Sequence, residues 1–266
     1  MSRKINFFLE ESIEYAQEKC YLDDLFSVYP TKVNALRDID GDIWDKVEKA
    51  YKSNDDNALI DNLLNLELFP IKNSYVAYLK HDRSAIQRNP KTVKRIAREL
   101  HKMDINDIFE KCSQPKEANR QIGPMFKNWV SSGALRYPVV DLEEFSNGKG
   151  DAILDASDKE MEDYARTHLG YNHKKGLDFL ARISDKYVIG EAKFLSDFGG
   201  HQNTQFNDAI STVESDVKKN VIKVAILDGV LYIPSKNKLY KAITEEYYNY
   251  NIMSALVLGD FLDTIR

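Results

Sequence analysis

The chain has 266 residues, 43% of them hydrophobic and 11% aromatic, enough for one large domain or two small ones around real cores. Its net charge of −5 argues against a protein that coats nucleic acid wholesale, but not against a local basic groove. No apolar run approaches a membrane span, acidic residues interrupt the N-terminus where a signal peptide needs an apolar stretch, and Cys20 and Cys112 share no metal-ligand spacing with each other or with the His residues, so free buried thiols in a reducing cytoplasm are expected.

Residues 4–20 read as an amphipathic helix with Ile5, Phe8, Leu9 and Ile13 on its apolar side. Residues 41–52 and 56–68 read as two more, the second ended by Pro70. Tyr75–Leu79 is an apolar run that fits either a strand or a buried helical turn. Asn89-Pro90 then predicts a helix start, with Asn89 as cap and Pro90 in the first turn. Along it Arg88, Lys91, Arg95, Arg98 and Lys102 recur at three- and four-residue steps, with Val93, Ile96, Ala97 and Leu100 on the other side. From 83 to 102 there are seven Lys or Arg and one acid, Glu99. Such a stripe suits a phosphate backbone, although most charged helix faces are simply solvated.

Asp104–Cys112 continues as a short helix. Met125, Phe126, Trp129 and Val130 give another apolar helical face, and Arg120 and Lys127 beside it are candidate phosphate contacts. Ser146–Gly150 reads as a loop. Ser157 and Glu160 make a capping box for a helix that Gly170 stops.

Leu177–Ile183 and Tyr187–Leu195 alternate with period two, each with one apolar face. A hairpin must put both apolar faces on one side, which requires an even loop. Asp185-Lys186 as a two-residue turn, or Ser184–Tyr187 as a four-residue one, gives the same register. It sets Leu177 across from Phe194, Phe179 from Ala192 and Asp178 from Lys193. On the other face Asp178, Glu191 and Lys193 converge. Two carboxylates, with the backbone carbonyl of Ala192, suit a hard cation such as Mg²⁺ that keeps its other positions for water and phosphate oxygens. Lys193 can then orient an attacking water, help deprotonate it, or neutralise the pentavalent state. The bland reading is a solvated cross-strand charge cluster, worth a fraction of a kcal/mol.

A Gly-Gly loop and a helix through about Val217 follow, buried on Phe206, Ala209, Ile210 and Val213. His201, Gln202, Asn203 and Gln205 at its start are candidate contacts to phosphate or base edges. Val221–Leu227 and Val230–Ile233 read as buried strands around an Asp228-Gly229 turn, Lys236–Tyr250 as helix or helix plus loop, and Ser254–Leu258 as a last strand. With the hairpin these predict an α/β (α+β) fold: a mixed central sheet flanked by helices, preceded by a mainly helical N-terminal region. The expected division is 1–114 for that region, contributing to DNA binding, and 115–266 for the core.

Asp178 followed on the next strand by Glu191-Ala192-Lys193 resembles the active site of the PD-(D/E)XK nuclease superfamily. The run GLDFLARISDKYVIGEAKFLSDFGGHQNTQFNDAI further resembles type II restriction endonucleases, and the likeness spans about residue 120 to 233. One departure is Leu177, where many such enzymes have Pro. The resemblance implies a restriction-endonuclease-like fold and a Mg²⁺-dependent enzyme making site-specific cuts in double-stranded DNA, usually as a homodimer. It also implies an acidic metal ligand on the helix before the first catalytic strand. Glu160 is explained as a cap, which leaves Glu162. The alternatives are a structure-specific repair or junction nuclease with the same metal site, and a non-catalytic DNA-binding protein.

Overall fold

The computed structural model describes residues 4–18, 20–30, 36–115 and 121–266, and at His201 the backbone alone. The chain forms two compact units, one of residues 1–31 and 118–266, the other of residues 32–117. This grouping differs from the expected linear division at 114/115, because the first 31 residues belong with the sheet-bearing unit. The helices are α1 (Phe7–Tyr15), α2 (Tyr21–Val28), α3 (Gly41–Lys52), α4 (Asp56–Leu63), α5 (Ser74–His81), α6 (Ala85–Arg88), α7 (Pro90–Leu100), α8 (Ile105–Cys112), α9 (Ile122–Ser131), α10 (Leu142–Asn147), α11 (Asp158–Tyr164), α12 (Gly200–Glu214), α13 (Lys238–Lys241) and α14 (Leu258–Ile265).

Among the described residues one mixed sheet runs β1 (Val139–Val140), β2 (Ala152–Leu154), β3 (Phe179–Ile183), β4 (Lys186–Leu195), β5 (Val221–Gly229) and β6 (Ile252–Met253), in that spatial order. β3 is antiparallel to β2 and β4; the pairs β1–β2, β4–β5 and β5–β6 are parallel. A parallel β4–β5 pair needs a crossover, which α12 supplies. Alternation then builds two clusters. Phe179, Ala181, Val188 and Ala192 join one with Leu9, Leu25, Phe126 and Phe261. Leu180 and Ile189 join another with Met161, Tyr164 and Tyr171. The expected fold class is thus what the chain adopts, a mixed sheet flanked by helices.

α11 opens with the expected capping box. The Glu160 backbone N–H donates to Ser157 Oγ at 3.3 Å, and the Ser157 N–H donates back to Glu160 Oε2 at 2.8 Å. Residues 165–169 continue it as a π-turn, and Gly170 stops it at φ 75°.

Several boundaries differ from expectation, each for a tertiary reason. β5 does not break at Asp228-Gly229; it pairs with β4 as far as Gly229. Asp228 is fully buried, accepting from Tyr21 Oη (3.3 Å), Tyr29 Oη (2.9 Å), Ser254 Oγ (2.5 Å) and the Ala255 N–H (3.2 Å). Four donors from distant segments override the turn preference of Asp-Gly. Val230–Tyr232 is accordingly a 3₁₀ turn, and Ser254 caps another over Ala255–Val257 instead of opening a strand. The 148–150 connector is tied down: Arg182 donates to the carbonyls of Gly150 (2.8 Å) and Phe145 (2.5 Å).

The second unit is helical, its core built from Val47, Leu59, Ile60, Leu63, Leu79, Val93, Ile96 and Leu100. Tyr75–Leu79 is helical there, within α5. Pro90 opens α7 as expected, but Asn89 does not cap it; its Nδ2 donates to the Ala85 carbonyl at 2.8 Å, closing α6.

Candidate active site

The hairpin turn is Ser184-Asp185, with Ile183 paired to Lys186, Phe179 to Gly190, and Ser184 in the left-handed region at φ 54°. The register is therefore two residues away from the expected one. The loop is still even, so every side chain keeps its face. The Asp178 N–H donates to the Gly190 carbonyl at 3.0 Å, extending the ladder one residue and setting Asp178 across from Glu191, not Lys193. Gly190 lets β4 and β5 approach: a Cβ there would lie 2.7 Å from Val224 Cγ2.

Three oxygens gather around one atom. Lys193 Nζ lies 2.6 Å from Glu191 Oε1, 3.1 Å from Asp178 Oδ2 and 3.1 Å from the Ala192 carbonyl oxygen. The Ala192 N–H in turn donates to Asp178 Oδ2 at 2.9 Å, fixing that carboxylate. Glu191 is only 4% exposed. Burial first, and the nearby Asp178 charge second, push its carboxyl up to about 7, against the pull of Lys193. Burial opposes the Lys193 charge, but Asp178 and Glu191 more than compensate and hold the ammonium above its ordinary range. Apo, the ammonium is the countercharge that makes two close carboxylates tolerable.

Further groups around Glu191 carried no sequence signal. Tyr171 is buried, its phenol pushed up to about 12 by burial and by the charges of Glu191 and Glu162, with Thr212 pulling the other way. The Lys175 ammonium also acts on Glu191 and pairs with Asp208 of α12 at 2.5 Å. Proximity of Lys175 to Asp178 in the chain was the one available hint.

Glu162, 5% exposed, is on the expected helix, but both its oxygens are engaged: Oε1 with Arg166 at 2.6 Å, Oε2 with Lys159 at 3.1 Å. Among the described residues no three His, Cys, Asp or Glu side chains gather at metal-holding distance, so Glu162 does not join Asp178 and Glu191 in this conformation.

The candidate DNA contacts scatter more widely. Gln202 is buried in the first turn of α12; its Nε2 donates to Ser196 Oγ at 3.3 Å and its Oε1 has no partner among the described residues. Asn203 and Gln205 are half-buried on the same helix. Lys127 is occupied, donating to the Ala156 carbonyl at 3.1 Å and paired with Asp158. Arg120 and the side chain of His201 lie outside the described residues. In the helical unit Arg88 falls in α6 and pairs with Asp82 at 2.6 Å, and Lys102 pairs with Glu99 at 2.7 Å. Lys91, Arg95 and Arg98 stay exposed on α7.

A mixed sheet that presents an Asp and a Glu-x-Lys from adjacent strands is an arrangement suited to phosphodiester hydrolysis. A family model described as the Tsp45I type II restriction enzyme matches residues 6–265, nearly the whole chain. The chain belongs to that family and is a site-specific deoxyribonuclease. No curated protein and no solved structure matches it.

Proposed function

We propose that the chain is a Mg²⁺-dependent type II restriction endonuclease of PD-(D/E)XK type, cutting both strands of duplex DNA as a homodimer. The observation that carries this is the convergence of Asp178, Glu191 and the Ala192 carbonyl on the Lys193 ammonium. That donor set is all oxygen and holds two carboxylates, which fits a hard divalent cation that retains water and takes phosphate oxygens. Bound there, the cation would supply charge to the phosphoryl oxygens and acidify water.

Asp178 and Glu191 would hold the cation, Asp178 oriented by the Ala192 N–H, and its charge would offset the repulsion between the two carboxylates. Lys193 turns its N–H groups toward the attacking water and the phosphoryl oxygen. Water adds to phosphorus and gives up a proton to solvent, the ammonium neutralises charge in the five-coordinate state, and the opposite bridging P–O bond then breaks, its oxygen leaving as a hydroxyl with a proton from solvent. Tyr171 and Lys175 complete the wall around Glu191. Glu162 becomes a ligand only if Arg166 or Lys159 releases it on DNA binding. Gln202, Asn203, Gln205 and His201 at the start of α12, with Arg120 and Lys127, remain the candidate DNA contacts of the core, and Arg88, Lys91, Arg95, Arg98 and Lys102 those of the helical unit.

Calorimetric titration of the DNA complex with Ca²⁺ tests the metal assignment without turnover. Wild type should show saturable binding that Asp178→Ala and Glu191→Ala each abolish, with DNA affinity in EDTA retained. Unchanged cation binding in both variants would refute it.

A further inference from the structure

Charge is segregated within this chain. Residues 72–102 carry nine Lys or Arg and two acids, a net +7 inside a protein of net −5, leaving −12 for the remainder. The two acids are used locally, Asp82 by Arg88 and Glu99 by Lys102. Among the described residues no acidic partner is found for Lys91, Lys94 or Arg98, all exposed. At 100° per residue these three and Arg95 fall within about a third of the circumference of α7, opposite Val93, Ile96 and Leu100.

α5 adds aromatic surface to the same patch. Tyr75 and Tyr78, three residues apart, are 57% and 61% exposed and lie on one side of α5. The Arg95 guanidinium lies over the Tyr75 ring, 5.3 Å from its centroid, which joins the α5 and α7 surfaces. A face of unpaired cations beside exposed rings matches a polyanion bearing flat apolar groups. It does not match an apolar peptide, which would leave four cations desolvated.

We propose that the exposed face of α5 and α7 is a sequence-independent grip on duplex DNA, with Lys91, Lys94 and Arg98 taking phosphates and Tyr75 and Tyr78 lying against the sugar–phosphate chain. This rests on the reading of the chain as a DNA-cleaving enzyme and deepens it. Lys94, Tyr75 and Tyr78 enter here for the first time, and Arg88 and Lys102 leave the contact set because their charges are already paired. Phosphate contacts position a protein on DNA and carry no base information, so the grip sets affinity and not the cut site.

The test uses the full-length protein, a random-sequence 30-base-pair duplex in EDTA, and the dependence of log K on log salt concentration. The triple variant Lys91→Ala/Lys94→Ala/Arg98→Ala should lower that slope by about 2 to 3, close to one for each phosphate that is no longer neutralised. On phage DNA with Mg²⁺ it should cut more slowly than wild type at low protein concentration, and the fragments it does yield should be the wild-type ones. Tyr75→Ala/Tyr78→Ala should weaken binding and leave the slope alone. Lys46→Ala/Lys49→Ala/Lys52→Ala on α3 makes the same charge change on another helix of this unit and should leave the slope near wild type. An unchanged slope in the α7 triple, an equal fall in the α3 triple, or an altered fragment pattern would overturn the proposal. The expected slope change in a protein that cleaves nothing would support the grip and count against the nuclease reading alone.

Discussion

Lys193 is the cation that lets Asp178 and Glu191 sit together in a mostly buried site; in the hydrolysis proposed above it would face water and phosphate. Lys193→Ala should therefore lower single-turnover cleavage by at least about 10²-fold, while duplex binding in EDTA stays within a few-fold of wild type. Equal losses in binding and cleavage would make the lysine a docking residue instead. Asp228 shows the opposite use of a carboxyl, with no exposure and no chemistry. Burial raises it to about 6 from an ordinary 3.8, although its hydrogen bonds from Ser254, Ala255, Tyr29 and Tyr21 pull it down. The folded state thus holds this proton more tightly than the unfolded state. Its contribution to stability is full below about pH 4 and is lost as pH rises through about 6, of order 3 kcal/mol in all. Asp228→Asn, whose single amide oxygen cannot accept from all four donors, should be less stable, and the wild-type advantage measured by urea unfolding should shrink from pH 4 to pH 6. A constant difference across that range would show the carboxyl to be ionised throughout. The clustering of Asp178, Glu191 and Lys193 was legible in the sequence because period-two alternation and one parity argument suffice to put them on one face. Asp228 was not, because its four donors come from residues 21, 29, 254 and 255, and local pattern reads Asp-Gly as a turn.

At the scale of elements, the limits of periodicity are visible in the hairpin itself. A two-residue shift between the expected turn and Ser184-Asp185 changes every cross-strand partner and no face, so alternation alone cannot choose between them. β1, β2 and β6 are two or three residues long and carry no period to read. Capping chemistry is local, and there the Ser157/Glu160 box forms as read, whereas Asn89 finds a nearer carbonyl at Ala85. β5 ends at a position that only glycine can occupy: Gly229 has φ 101°, and a Cβ there would lie 2.2 Å from the Leu195 carbonyl oxygen. Gly229→Ala should destabilise the protein by at least about 2 kcal/mol through backbone strain and the clash at the end of β4. It should cost activity too, since the strand it displaces carries Lys193 two residues before Leu195. A variant as stable as wild type would mean that the β4–β5 pairing frays before Gly229.

For the whole molecule, the sheet-bearing unit takes its first 31 residues from the far end of the chain. A linear division into an N-terminal region and a core could not show that, since the helix read at 4–20 looks locally like any other amphipathic helix. A concerted cut of both strands, as proposed above, takes two catalytic centres. Sedimentation of the 30.6 kDa chain at micromolar concentration should give about twice that mass without DNA, and that mass plus one duplex with it. A monomer under both conditions would demand sequential nicking. The central claim meets its most direct test in a digest of unmodified phage DNA by purified protein, with Mg²⁺ or with EDTA, beside Lys193→Ala. Discrete fragments, formed by wild type with Mg²⁺ and in no other lane, are the predicted result, and their ends would define the recognition site and the overhang. Cleavage by Lys193→Ala at the wild-type rate, or by wild type in EDTA, would contradict the assignment of Asp178, Glu191 and Lys193 as the centre of a metal-dependent nuclease.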